Sequence, residues 1–71
     1  MKKKCMVIDY GREQTTDFIT YDLWDEQNDV ELKEVKISSN YKLSTGDIIY
    51  IIDFENINDI ILKVEMEQNN E

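Results

Sequence analysis

Carboxylates are the only abundant reactive groups in this chain of 71 residues, which has sixteen Asp and Glu, eight Lys and Arg, one cysteine and no histidine. Enzymatic chemistry would need an activated base, a nucleophile with an orienting partner, or a metal held by converging ligands. Without histidine, a base would have to be a carboxylate, a lysine or a tyrosine. Asp25-x-Gln27-x-Asp29-x-Glu31 alternates oxygen ligands as a Ca²⁺ or Mg²⁺ loop does, but it lacks the central glycine and distal bidentate glutamate of an EF-hand. Glu31-Leu32-Lys33 and Glu34-Val35-Lys36 set a carboxylate and an amine on one strand face, as in some metal-dependent nucleases. The same spacing serves any exposed strand that keeps mixed charges outward. Cys5 has no second cysteine for a disulfide or a zinc site, and it reads as a small buried side chain rather than an activated thiol. The two glycines form no phosphate-cradling loop. These residues predict no catalytic group, no metal and no cofactor, and hence a protein that is not an enzyme.

Binding chemistry fits the composition better. A formal net charge of −8 repels phosphate and draws cationic surfaces inward, so direct nucleic-acid binding is disfavoured and a basic surface on a larger protein is the expected partner. Seven aromatic rings could stack on bases, but the basic residues that would have to accompany them reduce to Lys2, Lys3, Lys4 and Arg12 near the start. The acidic stretch is more specific. Asp22, Asp25, Glu26, Asp29, Glu31 and Glu34 surround Trp24 with a single intervening lysine, a composition in which the ring anchors an interface and the carboxylates meet Lys or Arg on the partner. The competing role for Trp24 is to cover one end of the core. Asp53, Glu55, Asp59, Glu65 and Glu67 form a second acidic set. Either set could line up negative charge as phosphates do along a duplex. In type this resembles the small acidic inhibitors that phages and mobile elements direct against nucleases, repair enzymes or polymerases, and it implies a nucleic-acid mimic that occupies a basic groove.

The elements that must position these groups read as five strands. Residues 4–10 form the first, closed by Gly11 and a polar hairpin loop. Residues 17–24 form the second, with Ile19, Tyr21 and Leu23 on one face and Phe18, Thr20 and Trp24 on the other. Asp25 to Asp29 are turn-forming, and residues 30–37 form the third strand. Its apolar positions pass from Val30 and Leu32 to Val35 and Ile37, which requires one extra residue near Lys33 and Glu34, a bulge. Gly46 is placed to take positive φ ahead of a fourth strand over 48–54, apolar on both faces. The fifth, over 60–67, alternates Ile60, Leu62, Val64 and Met66 with charged neighbours. Five short strands with a bulged third predict a mainly β fold, a small antiparallel barrel of the SH3-like or OB-like sort. Residues 1–67 make the single domain and 68–71 a frayed polar tail.

The apolar positions exceed what one small interior holds. Phe18, Ile49, Ile51 and Ile61, opposite the set containing Ile48, Tyr50, Ile52 and Leu62, are the expected oligomer face, giving a homodimer or a structural assembly subunit as the second reading of function. The apolar run after Lys2 to Lys4 reaches Asp9 within four residues, too short for a signal peptide or a membrane span, and a lone cysteine suits a reducing compartment. A cytoplasmic protein with no membrane contact is expected.

Overall fold

Alternation of small apolar with polar side chains makes β1, Lys2–Gln14, turn Cys5 and Val7 inward and Lys4 and Met6 outward, and this parity organises the molecule. The computed structural model describes residues 2–52 and 59–67. Four further strands, β2 (Phe18–Asp25), β3 (Val30–Ser38), β4 (Ile48–Ile52) and β5 (Val64–Met66), complete one five-stranded sheet in the order β3-β2-β1-β4-β5, every neighbouring pair antiparallel. The sheet curls until a single parallel bridge between Ile37 and Ile61 joins β3 to the segment ahead of β5. No ladder links β3 to β5 among the described residues, so the sheet is not closed, and the expected barrel is met only as an all-antiparallel sheet of five strands. Among the described residues no helix is long and apolar enough to cross a membrane.

The core lies inside the curl and contains Cys5, Val7, Tyr21, Leu23, Val35, Ile37, Leu43, Ile49, Ile51, Ile61 and Val64. Three of the four residues expected to form an oligomer face are therefore corrected. Ile49 and Ile51 have no exposed surface and Ile61 only 7%. In β4 the sequence Ile-Ile-Tyr-Ile-Ile is apolar at every position, so its own pattern cannot choose a face. Pairing with β1 makes the choice, because Cys5 sits opposite Ile49 and Lys3 opposite Ile51. Ile48, Tyr50 and Ile52 consequently face outward and remain half-buried. Phe18 is outward and half-buried, as its strand's alternation requires.

Strand irregularities tie the sheet together. Lys33 and Glu34 stand opposite Asp22 alone, since Tyr21 pairs with Val35 and Leu23 with Leu32, which is the extra residue expected in β3. Glu34 takes φ 55°, the left-handed region, and its N–H donates to Asp22 Oδ1 at 3.1 Å. Its carboxylate reaches across β2 and accepts the Arg12 N–H at 2.8 and 3.1 Å. There β1 bulges over Thr20, whose hydroxyl accepts the Glu13 N–H at 2.9 Å. Gly11 continues the strand rather than ending it. A Cβ there would strike Thr20 Oγ1 and come within 2.7 Å of Glu34 Oε2, so only glycine allows the two bulges to meet. Gly46 has φ 94°, which lets its N–H donate to Val7 O at 2.7 Å and lead the chain into β4.

Candidate functional site: the outer face around Trp24

The outward positions of the three central strands form a continuous surface. Ile48 pairs with Met6, Met6 with Trp24, and Trp24 with Glu31, so one row of side chains crosses β4, β1, β2 and β3 on the outside of the curl. Met6, Trp24 and Ile48 are half-buried and lie outside the core cluster, so the tryptophan is not spent on the interior. Neighbouring strands lie about 4.8 Å apart, which makes the apolar part of the row roughly 10 Å wide. At one end stands the exposed Glu31; at the other, the Glu67 N–H donates to Ile48 O at 3.0 Å, bringing a second exposed glutamate level with the row.

The next row carries charge. Tyr50 pairs with Lys4 on one side and Glu65 on the other, and the Tyr50 hydroxyl hydrogen-bonds Glu67 Oε1 at 3.2 Å. Lys4 Nζ lies 3.6 Å from Glu26 Oε2 and 3.8 Å from Glu67 Oε1. Lys2 Nζ binds Glu65 Oε1 at 2.9 Å. That hydrogen bond and the charge behind it hold the ammonium above its ordinary range and the carboxylate below its own. Lys3 Nζ binds Asp25 Oδ2 at 2.7 Å. Each of the three lysines that a phosphate-binding patch would use thus has a carboxylate against it.

The sequence groups six carboxylates around Trp24, and the fold divides the set. Trp24, Glu26 and Glu31 come together on the outer face. Asp22 and Glu34 lock the bulges and are half-buried. Asp29 sits in the β2–β3 turn with φ 60°, its N–H donating to Asp25 O at 2.8 Å. Asp25 is corrected outright: 1% exposed, it lies inside the turn and cannot meet a partner. Its carboxylate accepts Lys3 Nζ, Asn28 Nδ2 at 2.9 Å, and the N–H groups of Gln27 and Asn28 at 3.0 and 3.2 Å. Burial alone would raise its pKa, but the hydrogen bonds from Lys3, Asn28 and Gln27 together outweigh it and hold the group at about 2. Met6, Ile48, Tyr50 and Lys4 were missed as members of the face. The available signal was the alternation of Met6 with Cys5 and Val7, which places it outward once Val7 is placed inward.

Cys5 lies fully buried in the core, and desolvation, with Asp25 adding to it, pushes its thiol up to about 11. Among the described residues no three His, Cys, Asp or Glu side chains converge as metal ligands would. Asp53 and Glu55 of the second acidic set fall outside the described residues, as does the expected tail over 68–71. No family model, curated protein or solved structure matches this chain.

Proposed function

We propose that this domain is a non-enzymatic, acidic protein-binding module that seats its outer β4-β1-β2 face in a basic, concave surface of a larger protein. The observation that carries the reading is the position of Trp24, in register between Met6 and Glu31 on the outside of the sheet instead of in the core. A ring held by flanking strands loses little freedom on binding, which is the property of an interface anchor. Glu26 and Glu31 beside it supply orientation and fast encounter with Lys or Arg, supported by the net charge of −8. The face is convex, so its complement is a cleft, and clefts rich in Lys and Arg commonly hold nucleic acid. Occupying one would block that ligand, which makes inhibition by mimicry of a polyanion the proposed consequence. The strong curl with its one parallel bridge supports a partly open five-stranded barrel of the OB-like sort as the scaffold.

The test is affinity capture with the full chain, comparing wild type with Trp24→Ala and with Glu31→Lys, at low and high salt and with heparin as competitor. A specific captured protein should be lost in both variants, released by salt and displaced by heparin, while circular dichroism shows both variants folded. Equal capture by Trp24→Ala, or capture indifferent to salt and heparin, would refute the proposal.

A further inference from the structure

A second apolar surface lies at the seam of the sheet, away from Trp24. Leu62 is 75% exposed and Ile60 37%, on either side of the buried Ile61. The Ile61 N–H donates to Lys36 O and the Ser38 N–H to Ile61 O, both at 2.8 Å, so Ile60 stands beside Lys36 on the outside and the exposed Leu62 beside the buried Ser38. On β2, Phe18 pairs with Ser38, and Lys36 Nζ lies 5.3 Å from the Phe18 ring centroid. Phe18, the stem of Lys36, Ile60 and Leu62 therefore make one strip, which opens with the exposed Asp59 and ends with the exposed Lys63.

We propose that this strip is the contact for a second copy of the chain, docked about a two-fold axis with the two Asp59-to-Lys63 segments antiparallel. A two-fold interface must be complementary to itself. Antiparallel docking meets that condition here, because Asp59 then faces the partner's Lys63 at both ends while Ile60 and Leu62 cover each other between them. A parallel arrangement would oppose like charges. The Trp24 row lacks that complementarity: it ends in Glu31 and Glu67, so two copies aligned along it would set carboxylate against carboxylate. The two surfaces thus differ in the partner they fit, and neither proposal depends on the other. Each chain carries −8, so long-range repulsion opposes pairing and salt should strengthen the dimer, opposite to its effect at the Trp24 face.

Sedimentation equilibrium of the full chain tests this over a range of concentration and salt. Wild type should show a monomer–dimer equilibrium that tightens as salt rises. Leu62→Glu should be monomeric, and Asp59→Lys and Lys63→Asp should each weaken the dimer about tenfold, since each opposes like charges twice. The doubly reversed chain, D59K with K63D, should recover wild-type affinity, a result that general destabilisation cannot produce. All three positions are exposed, and far-ultraviolet circular dichroism checks that each variant is folded. A wild-type chain that stays monomeric throughout overturns the proposal. So does a double variant no better than the singles, or a dimer abolished by Trp24→Ala but kept by Leu62→Glu.

Discussion

Asp25 sets a measurable acid limit on the stability of this domain. Replacing it with asparagine keeps the shape but presents an amide N–H₂ to donors that now bind carboxylate oxygens. The folded carboxyl titrates at about 2 against an ordinary 3.8, a difference worth about 2 kcal/mol of stability. Because the folded value is the depressed one, that contribution is complete above about pH 4 and disappears as pH falls through 2. The side chain is only 2% exposed and its Lys3 partner 19%, so solvent screens the pair weakly. The contacts from Lys3, Asn28 and Gln27 are what depress the carboxyl, so their loss is contained in that figure and Asp25→Asn should cost about 2 kcal/mol at neutral pH. A chain of this length has roughly 4–10 kcal/mol in total. Urea unfolding followed by Trp24 fluorescence at pH 7 and at pH 2 measures both quantities. Wild type and variant should differ strongly at pH 7, and the gap should shrink by about 2 kcal/mol at pH 2. Equal midpoints at pH 7, or a gap that persists undiminished in acid, would refute the role given to the buried carboxylate.

Glu34→Ala removes the charged hydrogen bonds to the Arg12 N–H and should lower stability by about 1–2 kcal/mol, read by the same urea titration, with no loss of partner capture once folded. Gly11→Ala should be more damaging than Gly46→Ala, because the first meets Thr20 and Glu34 and the second suffers only the strain of a positive φ in open space, about 1 kcal/mol; thermal midpoints will rank them. Asp29→Gly relieves a left-handed backbone at an exposed turn and should raise stability by up to about 1 kcal/mol, an increase in the urea midpoint. Cys5, buried with its thiol pushed up to about 11, should react with a maleimide at pH 7.5 only as fast as the domain opens, and labelling as fast as in urea would contradict the core position.

Several elements were legible in the residues because one physical cause dominated them. The shift of apolar parity from Leu32 to Val35 asks a strand for one extra residue, whereas a helix would waste an apolar position, and the bulge at Lys33 and Glu34 is where that shift placed it. Gly46 precedes a strand and is the residue of its turn that takes positive φ without strain. Elsewhere two causes competed. The all-apolar β4 carried no parity of its own, so its facing was fixed by Cys5 across the ladder, information held 44 residues away. Gly11 and the polar residues after it looked like a loop because their hydrogen bonds go to Thr20 and Glu34, groups not adjacent in sequence. Asp25 was indistinguishable from Asp22 or Asp29 in composition, yet it is the carboxylate that Lys3 and the turn N–H groups of Gln27 and Asn28 bind. Along 60–67 the expected alternation breaks between Ile61 and Val64, both buried, because Ile61 answers to β3 and Val64 to β4.

Among the described residues the margins of the sheet meet at one residue pair, Ile37 with Ile61, whereas the central strands share long ladders. Such a body is stiff on one side and yielding on the other. The amides of Ser38 and Ile61 act as its clasp, and hydrogen exchange there should outpace that of Cys5 and Val7, recording a breathing motion that leaves the Trp24 surface undisturbed. A molecule built this way keeps its shape on the Trp24 side while the opposite flank yields.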